Sequence, residues 1–132
     1  MKPSAAANMP SPVRVLIVDD EPLFMEMVQA LLQGENGLEV VGKAANGQAA
    51  VRLAAQLDPD VIVMDVSMPV MNGIDATRAI LEQNPRTCVL ILTGGSNIAE
   101  IDDARKAGVA GYLTKDRIAS DLVAEIRRVA AR

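Results

Sequence analysis

Histidine and tryptophan are absent from the 132 residues, and cysteine, phenylalanine and tyrosine occur once each. Without histidine, Ser-His-Asp and Cys-His nucleophilic chemistry, histidine-held metal and a phosphohistidine carried on this chain are all excluded. Cys88 has no partner for an internal disulfide, and its place in Cys88-Val-Leu-Ile-Leu92 reads as a buried strand residue. No apolar run reaches the roughly 18 residues of a membrane span, and Met1 to Pro12 lacks the apolar stretch of a signal peptide, so a cytoplasmic chain away from the membrane is expected. Thirteen Lys and Arg against 17 Asp and Glu give a formal charge of −4. That balance lacks the basic footprint of counterion release, and no direct nucleic-acid contact by this chain is expected. Any chemistry must run on carboxylates, hydroxyls and lysine.

What is present is a hydrophobic fraction of 50% with 23% charged residues, enough to bury a core, in a length that fits one domain of roughly 100 to 200 residues. Residues 1–12 hold three prolines and an Ala-Ala-Ala run without periodicity and read as a mobile leader. From Val13 to Arg132 short β-branched runs alternate with amphipathic stretches, the pattern of a parallel sheet flanked by helices. Strands are placed at Val13–Val18, Leu38–Ala44, Val61–Met64, Cys88–Leu92 and Ala110–Leu113. Val15-Leu-Ile-Val18 and Val61-Ile-Val-Met64 are apolar on both faces, so they belong in the middle of the sheet. Pro22 starts the first helix, with Phe24, Met27, Val28 and Leu31 on its apolar line and Gly34 and Gly37 at its end. Asn46 caps a second helix carrying Val51, Leu53 and Leu57. A third follows Asn72-Gly73 and stops before Pro85. The fourth, Asn97–Ala107, has only Ile98 and Ile101 on a polar surface and is expected to be the loosest. The last, Ala119–Ala130, aligns with Ile118 its Leu122, Ile126 and Val129 on one stripe.

The polar residues that interrupt this pattern fall just after strands: Asp19 and Asp20 after the first, Asp65 after the third, Thr93 after the fourth and Lys115 after the fifth. In open α/β sheets ligands bind at that edge where the strand order reverses, which brings Asp20 and Asp65 together. Three crowded carboxylates repel one another and call for a cation. Magnesium suits them, because it takes oxygen ligands, keeps waters and commonly pairs one or two carboxylates with a phosphate oxygen. A phosphoryl group on Asp65 would supply that oxygen, with Lys115 as a point charge and Thr93 as a hydrogen-bond donor to it. Taken singly, Asp19 and Asp20 also fit acids at a helix start beside Pro22, and Thr93 or Lys115 alone would mean little. The joint arrangement carries the reading.

With Val-Leu-Ile-Val-Asp-Asp-Glu-Pro (15 to 22), Val-Ile-Val-Met-Asp-Val-Ser-Met-Pro (61 to 69) followed by Asn72-Gly73, Leu-Thr-Gly (92 to 94) and Gly-Tyr-Leu-Thr-Lys-Asp (111 to 116), the chain resembles the receiver domains of two-component response regulators. The resemblance covers Val13 to about Val129. It implies a flavodoxin-like (βα)5 three-layer sandwich with a parallel five-stranded sheet in order 2-1-3-4-5. It further implies Asp65 as phosphoacceptor, Asp20 as a direct magnesium ligand, Asp19 as a mostly water-mediated one and Ser67 as a ligand through its backbone carbonyl. Thr93 and Tyr112 match the switch pair and Lys115 the phosphate-binding lysine. Lys115-Asp116 stands where many receivers have Lys-Pro, which is similar to the subfamily that precedes LuxR-type helix-turn-helix domains. Gly94 follows the switch threonine where alanine is frequent, leaving that backbone freer.

The function this implies is a switch rather than an enzyme on other substrates. Asp65 takes a phosphoryl group from a sensor histidine kinase with Mg2+, and the domain changes a surface for a partner, an effector or a second copy of itself. That serves transcriptional regulation through a DNA-binding domain absent from the chain. A haloacid-dehalogenase-type phosphatase would want a second aspartate two residues past the nucleophile, where Ser67 stands. A flavin-binding module would need phosphate donors where Asp19-Asp20-Glu21 repels. A stand-alone adaptor or a receiver silent to phosphorylation remains a further alternative.

Overall fold

The computed structural model describes residues 11–95 and 97–131; the first ten residues of the expected leader lie outside them. The five β-branched runs form β1 (Val13–Val18), β2 (Leu38–Ala44), β3 (Val61–Asp65), β4 (Cys88–Thr93) and β5 (Gly111–Thr114). All pair in parallel, in the order β2-β1-β3-β4-β5. The helices are α1 (Pro22–Gln33), α2 (Gly47–Leu57), α3 (Gly73–Gln83), α4 (Ile98–Ala107) and α5 (Ile118–Ala130).

Alternation along the central strands sorts the core into two layers, because successive side chains point to opposite faces. Val15, Ile17, Val61, Val63, Leu90 and Leu92 face one way and pack with Val28 and Leu32 of α1 and Ile118, Leu122, Ile126 and Val129 of α5. Leu16, Val18, Ile62, Met64, Val89 and Ile91 face the other way, against Ala50 of α2, Ala76 and Ile80 of α3 and Ala104 of α4. This is the three-layer sandwich expected from the sequence. The β1–β2 register slips between Val15 and Leu16, a bulge at the edge strand where such irregularities are tolerated.

Helix starts follow the capping chemistry. Asn46, Asn72 and Asn97 each accept a hydrogen bond from the backbone N–H three residues on, satisfying donors that a first turn leaves orphaned. Three details differ from the sequence reading. Met27, expected on the core line of α1, is 45% exposed, and Leu32 is buried in its stead. β5 begins and ends one residue later than placed, and a 3-10 turn over Lys115–Arg117 separates it from α5. Cys88 opens β4 only half-buried, its thiol donating to the Val129 carbonyl at 3.3 Å. α4 buries only Ala104, in keeping with its sparse apolar face. Among the described residues no helix is long and apolar enough to cross a membrane.

Candidate functional site

β1 has β2 on one side and β3 on the other, so the chain order reverses between β1 and β3, and their carboxyl ends open a crevice. Asp19 and Asp20 leave β1 there, and Asp65 is the last residue of β3. Oxygens of the three carboxylates lie within 4.8 Å of one another. Asp19 and Asp65 are buried, at 1% and 4% exposure, whereas Asp20 faces solvent. The turn after β5 delivers Lys115, whose Nζ lies 3.4 Å from Asp65 Oδ2 and 3.8 Å from Asp19 Oδ2.

Burial raises both inner carboxyls above the usual carboxylate range. For Asp19 the Glu21 N–H, donating to Oδ1 at 2.8 Å, works against burial, while the Asp65 charge adds to it. For Asp65 the Lys115 charge and then the Ser67 N–H, at 3.4 Å from Oδ1, work against burial. Asp19 Oδ2 is buried with no hydrogen-bond partner among the described residues. A buried oxygen left without a donor is costly. Three clustered carboxylates with one ammonium beside them, and that oxygen accepting no hydrogen bond, form an acidic pocket fit to hold a hard cation on oxygen ligands.

The loop after Asp65 is held by close backbone approach. Gly73 donates its N–H to the Val66 carbonyl at 2.9 Å, and a Cβ on Gly73 would fall 2.5 Å from the Asp65 carbonyl oxygen. Gly47, at the start of α2, donates to Met71, and a Cβ there would meet the same Met71 carbonyl. Between these supports Val70 sits at φ +71° with 76% exposure, a left-handed conformation that costs a β-branched residue of order 1–2 kcal/mol.

The structure therefore brings Asp19, Asp20, Asp65 and Lys115 together, with Ser67 in the loop directly beyond Asp65. Thr93 ends β4 at the same edge, but its hydroxyl is engaged elsewhere: Oγ1 lies 2.9 Å from the Gly95 carbonyl and 3.1 Å from Glu100 Oε1. Tyr112, in β5 beside Ile91, is 37% exposed, with the Arg105 guanidinium 5.6 Å from its ring centroid. Two contributors were not singled out from sequence. Glu100 is one. Phe24 is the other, for the Lys115 ammonium lies 4.5 Å from its ring centroid. Its only signal was position, in the first turn of the helix that follows Asp19-Asp20.

Fold and pocket together define a doubly wound α/β domain with its acidic site at the topological switch point. The chain belongs to the response regulator receiver domain family, whose model matches residues 15–127. It is 38% identical over 117 residues to the transcriptional regulatory protein LnrK of Bacillus subtilis (strain 168), covering 89% of this chain and 53% of that protein. It is 38% identical over 119 residues to the response regulator GacA of Pseudomonas aeruginosa, covering 90% of this chain and 56% of that one. The signal receiver domain of the putative response regulator NarL from Mycobacterium tuberculosis superposes with a TM-score of 0.88 at 34% identity, over 92% of this chain and 98% of that one. A LuxR-family two-component response regulator from Aurantimonas sp. SI85-9A1 gives 0.87 at 36% identity, over 92% and 86%. The chain spans about half the length of these curated relatives.

Proposed function

We propose that this receiver domain is a phosphorylation switch with Asp65 as acceptor. One oxygen of the ionised Asp65 carboxylate attacks the phosphorus of a phosphohistidine on a separate sensor kinase. A P–O bond forms as the P–N bond breaks, and the imidazole keeps the electron pair and picks up a proton from solvent. Lys115 balances charge on the transferred group. Asp19, Asp20 and Asp65, with the Ser67 carbonyl, would hold magnesium, which when bound supplies electrostatic stabilisation of the phosphoryl oxygens. Attack of water on the same phosphorus later returns the carboxylate and inorganic phosphate. The observation that carries this reading is the buried Asp65 carboxylate, within 3.4 Å of the Lys115 ammonium and grouped with two further carboxylates.

Once Asp65 is modified, the Thr93 hydroxyl exchanges Glu100 and Gly95 for a phosphoryl oxygen. The Tyr112 ring turns inward from its exposed position, and the α4–β5 surface changes for a partner or a second copy of the domain. Residues 13–132 act as the receiver unit, with 1–12 as a leader, in a cytoplasmic protein. The transcriptional regulators among the relatives support an effector domain, in the whole protein, that binds DNA. The test is incubation with acetyl phosphate and magnesium followed by intact-mass analysis. A single phosphoryl adduct on wild type and none on Asp65→Asn is expected; an equal adduct on Asp65→Asn would assign the acceptor elsewhere.

A further inference from the structure

Lys115 is a poor candidate to hold itself in place. A lysine ammonium is a compact charge on a flexible four-carbon stem, and long ion-pair distances do little to fix it. Neither carboxylate contact, at 3.4 Å and 3.8 Å, has the length of a tight hydrogen bond. The third group at the ammonium is the ring of Phe24, 4.5 Å from Nζ to the centroid, well inside the roughly 6 Å reach of a cation–π contact. Phe24 lies in the first turn of α1, half-buried and packed against the α1–α5 core layer. The ring is thus anchored by the fold and meets a side chain delivered from the other end of the sheet.

We infer that Phe24 is a positioning residue for phosphoryl transfer, its ring face fixing the Lys115 ammonium beside Asp65; this rests on the reading of Asp65 as acceptor. A ring face suits that role better than a further carboxylate. It attracts the charge without adding negative charge to a pocket that already holds three carboxylates. It also fixes where the ammonium sits while leaving N–H groups to point at Asp19 and Asp65. When the phosphoryl group arrives, those donors turn to it and the ring contact stays. A leucine at position 24 would fill similar apolar space but has no quadrupole, so packing and cation–π roles separate by substitution. Tyrosine keeps the face.

Two readouts on the folded domain test this, with thermal unfolding confirming that Phe24→Leu and Phe24→Tyr stay folded. The first needs no phosphorylation. In lysine-labelled wild type, the Lys115 side-chain methylene protons, assigned by their loss in Lys115→Arg, are shifted upfield by the ring current. The shift persists in Phe24→Tyr and collapses in Phe24→Leu. The second is the rate of phosphorylation by acetyl phosphate at fixed magnesium. It falls about fivefold in Phe24→Leu, the equivalent of about 1 kcal/mol of cation–π attraction at 1.36 kcal/mol per decade, and Phe24→Tyr restores it. Absence of the upfield shift in wild type overturns the inference. So do equal rates in all three proteins, and that outcome leaves Asp65 as acceptor intact. Wild type that shows the shift yet takes no phosphoryl group overturns the acceptor reading, and with it the kinetic role of Phe24.

Discussion

Thr93 Oγ1 lies 3.1 Å from Glu100 Oε1, so the hydroxyl at the end of β4 is tied to the first turn of α4. Asn97 caps that helix by accepting the Glu100 N–H at 3.1 Å. One short segment thereby fixes both the helix start and the threonine. A carboxylate acceptor makes the stronger kind of hydrogen bond, and it holds the hydroxyl in its resting engagement.

Glu100→Ala is therefore expected to untie Thr93 from α4, leaving its hydroxyl on Gly95 alone, and to raise amide exchange at the β4–α4 connection without any phosphodonor, at a stability cost of about 1 kcal/mol. Exchange measured by mass spectrometry on unphosphorylated protein checks it. A pattern identical to wild type would show that the contact holds nothing.

Asp19 gives a pH prediction. Burial, reinforced by the Asp65 charge, raises its carboxyl above the usual range, so the folded state binds its proton more tightly than the unfolded chain does. The contribution of Asp19 to stability is then fully present below the ordinary carboxylate range and is lost as pH rises through the raised value. Without divalent cation, Asp19→Asn should be more stable than wild type at neutral pH, with the gain shrinking towards acid pH. Added magnesium should narrow the gap by stabilising wild type. Thermal unfolding at neutral and acid pH, with and without magnesium, tests both; a variant less stable at neutral pH would refute the assigned penalty.

Gly73 and Gly94 should behave oppositely. A Cβ on Gly73 would meet Asp65 and Val66 backbone at 2.5 Å and 2.9 Å, whereas nothing lies within 4 Å of one on Gly94. Gly73→Ala should cost about 2 kcal/mol and slow phosphorylation by shifting Asp65, while Gly94→Ala should leave stability unchanged or raise it by up to about 1 kcal/mol. Chemical denaturation of the two variants decides.

Val70 carries strain that a different residue would relieve. At φ +71° asparagine is tolerated where a β-branched residue is not. Val70→Asn should stabilise the fold by about 1 kcal/mol, raising the midpoint by roughly 3 °C. A lower midpoint would mean that the valine side chain contributes more than its backbone costs.

The fold was legible because both signals behind it are local. Val15 to Val18 and Val61 to Met64 read as two-faced central strands, and Asn46, read as a cap, Asn72-Gly73 and Asn97 marked helix starts. α1 was read less well, since Leu23, Phe24, Met25, Met27, Val28, Leu31 and Leu32 leave its apolar line without a clear phase. Packing, not periodicity, chose Val28 and Leu32 over Met27. In the pocket the strand-end acids and Lys115 stood out as polar interruptions of apolar runs. Phe24 and Glu100 interrupt nothing: one looks like core and the other like a solvated helix acid. Their roles arise only when α1 is laid beside the end of β5 and α4 beside the end of β4.

Phosphate on Asp65 is proposed to change the surface around α4 and β5 through Thr93 and Tyr112, with Lys115 holding the transferred group in place. The most direct measurement is amide exchange over residues 97–113 in wild type, Asp65→Asn and Lys115→Ala, with magnesium and acetyl phosphate, comparing wild type and Lys115→Ala at matched phosphate occupancy. The expected result is a phosphate-dependent change in wild type, none in Asp65→Asn and a lost or much reduced one in Lys115→Ala. A wild-type segment that exchanges identically with and without a fully occupied Asp65 would contradict it.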